Sequence, residues 1–354
     1  MSFEPTTQEV PRQRGLKKWL PLLITLGLML FIFGVVLPQF IDYDAVFRAI
    51  GNIDGFTWLL LAILGVLQFI PDGWVLQASL PGLKLKQGVT VATVTGAVAN
   101  IPPGGLDLVV RYHMTRGWGF SPQAATASTM VTWLFATASK LFMPVIAVLF
   151  LSVERIQDDD LDFLAVLGLG IVAGGAILIA LGLRSTRFVL ALGRLLTRFV
   201  HFLSGVFRRD WVVDLEDGLL NFRDQTADVI KSRWHVGLLA GLAGQFMFFL
   251  IMLTAVRGVG LGNDTISTGV VFAAVAMVAA ITTIPIFNAP GLNEALYMSI
   301  LAFAAGQGFA DQIAAAVFVF RLVTWLLPIP VGGVSYTRWK NRTSHGMVAP
   351  ETAA

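Results

Sequence analysis

Cysteine is absent from the 354 residues. That excludes disulfide scaffolds, thiolate metal sites and cysteine nucleophiles, and leaves the redox compartment unread. Charge is scarce as well. Asp, Glu, Lys and Arg make up 13% of the chain, where about 25% is usual. Hydrophobic residues reach 56%, against roughly 45–50% in soluble domains. So few charges cannot coat a soluble fold of this size, and the chain reads as an integral membrane protein. The four histidines, His113, His201, His235 and His345, stand far apart without H-E-x-x-H spacing, so no metal site and no cofactor are expected. No P-loop, nucleophile-elbow or dinucleotide glycine pattern occurs, which argues against a nucleotide-driven pump or a familiar hydrolase. The net charge of +3 reports loop topology in a membrane chain, and no nucleic-acid partner is expected.

What the chain does have is a series of long apolar runs. Six are long enough for a bilayer crossing, near 19–41, 56–80, 123–151, 161–183, 235–257 and 311–337, at about 20 residues per span. The first follows Arg12, Arg14, Lys17 and Lys18, but it is too long for a signal h-region and reads as a spanning helix. Two further apolar stretches, 87–116 and 265–305, are interrupted by proline and glycine. Their halves, such as Gly88–Ile101 and Leu106–Arg116, are too short to span alone.

Loop charges orient the spans by the positive-inside rule. The basic 12–18 tail, Lys84 with Lys86, the nine Arg/Lys of 184–234, and Arg338, Lys340 and Arg342 fall inside. The 42–54 loop and the acidic run Glu154, Asp158, Asp159, Asp160 and Asp162 fall outside. These constraints are met by an all-α fold with six full spans, two re-entrant broken hairpins, and both termini on the cytoplasmic side of the cytoplasmic (inner) membrane. Reading each broken segment as a bent full crossing keeps both termini inside too. The expected organisation is a basic tail (1–18), one transmembrane domain (19–340) and a short C-terminal tail (341–354). Within the domain, the first repeat is placed at about 56–151, a cytoplasmic amphipathic segment at 184–234, and the second repeat at about 235–337. In the 188–207 stretch, Phe188, Leu192, Leu195, Phe199, Leu203 and Val206 recur at helical spacing apart from the arginines. This is the pattern of a helix lying on an anionic lipid surface or of a topology-setting loop.

The two broken segments resemble each other. Pro103-Gly104-Gly105-Leu106-Asp107 aligns with Pro290-Gly291-Leu292-Asn293-Glu294, each with an acid four residues after the proline. Gly117-Trp118-Gly119-Phe120 aligns with Gly306-Gln307-Gly308-Phe309, and Val-Thr-Trp-Leu occurs at 131–134 and again at 323–326. Matches in the same order point to an internal duplication, and the charge-derived orientation makes it an inverted one. Inverted repeats with discontinuous helices are a recurring transporter construction. Backbone groups freed at a break are tolerated at membrane depth only within protein or around a cavity. The half-helix after it turns its positive end toward the break, which favours an anion. The re-entrant breaks are assigned to Pro103, Gly104 and Gly105, and to Asn288, Pro290 and Gly291.

Away from the ends of the apolar runs, six charged residues remain: Asp72, Asp107, Arg111, Lys140, Glu294 and Arg321. Three acids against three bases is the balance expected of a bundle interior. Asp107 and Arg111 are spaced to pair at i,i+4. One role for the set is static ion pairing between helices. The other is a substrate-binding cavity in which Arg111, Lys140 and Arg321 receive an anionic headgroup while Asp72, Asp107 and Glu294 balance or relay charge. No catalytic residue is assigned.

Taken together, Ile284-Pro285, Asn288-Ala289-Pro290-Gly291-Leu292-Asn293-Glu294, Gly306 and Arg321-Leu322-Val323-Thr324-Trp325-Leu326-Leu327-Pro328 look like a C-terminal family signature. Asn100, Pro102-Pro103-Gly104-Gly105 and Arg111 resemble its N-terminal counterpart. The chain, over about residues 19–340, resembles the lysylphosphatidylglycerol synthase transmembrane-region proteins, a flippase-like polytopic family. That resemblance implies a helical fold with re-entrant segments, movement of a lipid or lipid-linked headgroup between leaflets, and prominent roles for Glu294 and Arg321. The soluble aminoacyl-transferring domain of full synthases finds no room after Arg342, so lysyl-lipid synthesis by this chain alone is not expected. The leading expectation is a flippase acting by alternating access. Alternatives are an integral-membrane lipid-modifying transferase with Asp107 or Glu294 as base, or a non-catalytic membrane partner of a lipid or glycan synthase. Homo-oligomerisation stays open.

Overall fold

The computed structural model of the chain describes residues 43–99, 105–153, 215–283 and 291–344. Every regular element among them is helical. The first is α1 (Tyr43–Gly51), within a segment the charge pattern marks only as a loop. There follow α2 (Gly55–Leu67), α3 (Phe69–Ser79), α4 (Leu85–Val98), α5 (Leu106–Gly117) and α6 (Pro122–Val153). The second half holds α7 (Leu215–Gly258), α8 (Thr268–Ile281), α9 (Leu292–Ala305), α10 (Ala310–Arg321), a π turn (Leu322–Leu326) and α11 (Pro328–Ser344).

Four stretches are long and apolar enough to cross a membrane: Gly55–Ser79, Pro122–Leu151, Val229–Gly258 and Ala310–Arg342. They correspond to four of the six expected spans. The other two, 19–41 and 161–183, lie outside the described residues, as do the amphipathic 188–207 stretch and the acidic 154–162 run. The helix α7 begins at Leu215, so the last twenty residues of the expected cytoplasmic segment are a helical extension of the span.

The irregularities in the spans have local causes. Pro71 has no N–H to give Leu67; there α2 passes into α3, and the Gln68 side chain donates to the Gly65 carbonyl at 2.7 Å. Asp54 starts α2 as its N-cap, accepting from the Thr57 amide at 2.9 Å and the Thr57 hydroxyl at 2.6 Å. Pro328 likewise cannot donate to Thr324, and the chain widens into the π turn, with Leu327 N–H bonded to the Leu322 carbonyl at 3.2 Å.

The interrupted segments appear as pairs of short helices. In the first, α4 and α5 have 14 and 12 residues; in the second, α8 and α9 have 14 each. At 1.5 Å per residue each reaches only about 18–21 Å, short of a bilayer core of about 30 Å. Pro103, Gly104, Asn288 and Pro290 lie outside the described residues, but the glycine closing each break is described. Gly105 (φ 81°) and Gly291 (φ 87°) are the N-caps of α5 and α9, both at positive φ, where a side chain would be strained. Counted from that glycine, Asp107 is the second residue of its helix and Glu294 the third.

The order long helix, short helix, break, short helix, long helix occurs twice. In the first half α3 packs on α4, α4 on α5, α5 on α6, and α3 on α6. In the second, α7 packs on α8, α8 on α9, α9 on α10, and α7 on α10. Between halves, α4 lies against α11 and α6 against α8, the same pairing with the halves exchanged, and α3 meets α7.

Close packing between these helices relies on glycine. A Cβ on Gly73 would collide with the Val89 backbone, and one on Gly88 with the Gly73 carbonyl, so α3 and α4 touch backbone to backbone. Gly237 and Gly241, one turn apart on α7, make room for Phe135 and Ser139 of α6. Replacement of Gly88 by Val is therefore expected to lower stability in detergent by at least about 1–3 kcal/mol, the usual range for overpacking. Gly333→Ala, where a Cβ meets nothing within 4 Å, should be neutral or gain up to ~1 kcal/mol. Thermal unfolding of the two variants side by side checks this contrast.

Candidate functional site: a divided charged cavity

Two adjoining cavities of about 240 Å³ each lie in the bundle, sharing Asp72, Gly96, Ala99 and Gln245 in their walls. The first is completed by Asp107 and Arg111 from α5, Thr132 and Ser139 from α6, and apolar wall from α3 and α4. The second is completed by Lys140 from α6, Asn293 and Tyr297 from α9, and Arg321, Thr324 and Trp325 around the π turn. Five of the six interior charges thus line these two adjoining cavities. The sixth, Glu294, is joined to them through Arg321.

Asp72 is the hinge of the arrangement. It follows Pro71 in α3 and opens on both cavities, which is why it is accessible although it lies deep among the helices. Gly244 of α7 is its neighbour, where a Cβ would rest in ordinary contact 3.5 Å from Asp72 Oδ1. Asp72 is within electrostatic reach of Arg111 and Lys140, and Arg111 within reach of Asp107. The i,i+4 spacing of Asp107 and Arg111 does not close into a direct ion pair, although both side chains line the first cavity. Arg111 Nε is buried without a hydrogen-bond partner among the described residues.

The second cavity has a direct ion pair. Arg321 Nε lies 2.6 Å from Glu294 Oε1, with the side chains 15% and 5% exposed. The other carboxylate oxygen, Oε2, accepts the Gly291 N–H at 2.6 Å. As the third residue of α9, Glu294 reaches back to the capping position in half of a capping box, and its charge faces the positive end of the helix. The guanidinium lies over the Trp325 ring, 4.9 Å from its centroid, a cation–π contact. Its Nη2 is buried and has no hydrogen-bond partner among the described residues.

Sequence reading by charge passed over several cavity residues. Gln68 and Gln245 are buried amides inside apolar runs, a signal weaker than charge but of the same kind. Asn293 and Tyr297 sit one turn apart on α9 and are buried. The repeated Val-Thr-Trp-Leu supplies equivalent positions, Thr132 lining the first cavity and Thr324 with Trp325 the second. Among the described residues, no three His, Cys, Asp or Glu side chains converge.

Chemically, the cavity offers guanidinium N–H groups that are desolvated and incompletely satisfied. Such groups bind an oxyanion through charge-assisted, frequently bidentate, hydrogen bonds.

Fold and site together define a multi-pass helical membrane protein whose two halves enclose a charged cavity. Residues 18–332 match the family described as the lysylphosphatidylglycerol synthase TM region, and the chain belongs to that family. Membership ties it to lipid biosynthesis or translocation. No curated protein matches the chain.

Removing one partner of a buried ion pair strands the other, at a cost of about 3–5 kcal/mol. Glu294→Gln and Arg321→Gln are each expected to destabilise the protein by roughly 3 kcal/mol. The double variant should be less destabilised than the sum of the two by at least about 1 kcal/mol. Unfolding of all four proteins in one detergent measures that coupling; strict additivity would contradict the pair.

Proposed function

We propose that the protein moves a lipid or lipid-linked anionic headgroup across the cytoplasmic membrane by alternating access around its two helix breaks. The observation that carries this reading is the gathering of six interior charges around one divided cavity that both halves of the chain line. A static staple would pair its charges directly. Here the only direct pair among the six is Glu294–Arg321, and Arg111 and Arg321 each keep a buried donor unpartnered. An anionic headgroup fits those donors.

A lipid, rather than a soluble anion, is favoured by what adjoins the cavity. Arg321 and Trp325 also border an apolar groove of about 640 Å³ lined by Tyr43, Phe47, Ile50, Phe318 and Leu322. A headgroup at Arg321 could therefore keep its acyl chains against apolar side chains. The recurrence of helix order and packing supports an inverted repeat, in which rocking one half against the other would open the cavity first to one leaflet and then to the other. In this reading both termini are cytoplasmic and the breaks are re-entrant.

In the transferase alternative the base is Asp107, because both oxygens of Glu294 are engaged. Product chemistry in detergent separates the two readings.

The transport test uses proteoliposomes. Glu294→Gln and Arg321→Gln, confirmed as folded and inserted, are expected to slow translocation of an anionic phospholipid at least about tenfold, or ~1.4 kcal/mol in barrier. Arg321→Lys should recover only part, since an ammonium cannot reproduce the planar fork. Undiminished transport by both uncharged variants would sink the site assignment.

A further inference from the structure

A basic pocket lies away from the central cavity. It has a volume of about 550 Å³ and lies between the start of α4 and the end of α11, with Lys84, Lys86, Arg338 and Arg342 in its lining. No carboxylate lines it, and none of the four cations has an ion-pair partner among the described residues. Cations at the end of α11 suit that helix's negative pole. Cations at the start of α4 do not: the first turn of α4 carries Lys86 and no acid, where the helix dipole favours negative charge. Lys84 and Lys86 are held beside a positive helix end and two arginines, a concentration of like charge that a bound anion would relieve.

The walls of the pocket are fixed in shape. Trp118 and Trp339 form part of its lining and meet edge to face with centroids 6.5 Å apart. Both pack on a buried cluster that includes Leu80, Leu83, Val91 and Met114. Gly117 leaves space for Trp339, since a Cβ there would come within 3.0 Å of the indole. The pocket lies at one end of the Ala310–Arg342 span, the border zone where tryptophan and basic side chains meet phospholipid headgroups. It is about 15 Å along α4 from the central cavity, taking Lys86 to Gly96 at the helical rise.

We propose that this pocket binds the phosphoryl group of an anionic phospholipid, as a border site separate from the central cavity. Lys84, Lys86, Arg338 and Arg342 supply the charge, the start of α4 adds its dipole, and Trp118 and Trp339 seat the glycerol region. The site stands whether or not the transport reading holds.

The absence of cysteine makes a direct test possible. Ser335, in the pocket lining, is replaced in Ser335→Cys, and the rate of maleimide alkylation is measured on the full chain in nanodiscs. Phosphatidylglycerol should slow alkylation about tenfold relative to phosphatidylcholine. A control thiol from Gly333→Cys, exposed and outside the pocket, should show little difference. Adding Lys86→Gln and Arg338→Gln should abolish the protection, whereas adding Arg321→Gln should preserve it, which separates this site from the central one. In lipid-depleted detergent, protection by millimolar inorganic phosphate would assign the pocket to free phosphate and overturn the lipid assignment. Equal rates in the two lipids, or protection that survives the charge-neutral variant, would overturn the proposal. If that variant fails to fold, the comparison of lipids and control thiol decides by itself.

Discussion

A polypeptide within lipid has to satisfy its backbone N–H and C=O groups internally, because the hydrocarbon offers them nothing. The rest of this structure follows from the places where that requirement is strained. Pro71 and Pro328 each remove a backbone donor from a spanning helix; one helix gives way to the next around Gln68 at the first, and the chain widens into a π turn at the second. The two interrupted segments go further and stop the helix altogether, restarting it at a left-handed glycine. Helix starts carry unpaired amides and a positive dipole end, so each restart favours negative charge. Glu294 meets that demand with one oxygen and holds Arg321 with the other.

This double engagement explains why Arg321 tolerates its depth. Its guanidinium is countered by one carboxylate, stacked on Trp325, and left with a donor unspent. The first half handles its charges more loosely. Asp107, one position nearer its capping glycine, lines the first cavity together with Arg111 without a direct ion pair, and Arg111 is also within reach of Asp72. The two halves share a plan of helices while differing in how charge is neutralised.

Glycine has a separate part in the architecture. Gly73 with Gly88, Gly237 with Gly241, and Gly332 against Thr93 allow helices to approach at backbone distance. Without water there is no hydrophobic drive between helices in lipid, and close packing takes over that role.

Much of this could be read before any coordinates. Low charge and long apolar runs identified a membrane protein, because a bilayer rejects what those runs omit. Helix ends were legible where proline and glycine stood, as at Gly291, whereas the capping role of Asp54 emerged only from the structure. The six interior charges were legible because charge in lipid is too costly to be incidental. Their convergence was not, because Asp72 and Arg321 are 249 positions apart and nothing local in the chain records that α3, α7 and α10 meet. Nor could spacing alone show that Asp107 and Arg111 line one cavity without a direct ion pair, since an i,i+4 separation permits a pair without requiring it. Gln68 and Gln245 were overlooked for a similar reason: an amide in an apolar run stands out less than a charge until a wall forms around it. By itself the sequence determined solvent, element type and the inventory of unusual side chains, all matters of local chemistry. Partner choice among those side chains was left to the tertiary structure, because desolvation and Coulomb energy depend on distances that only packing sets.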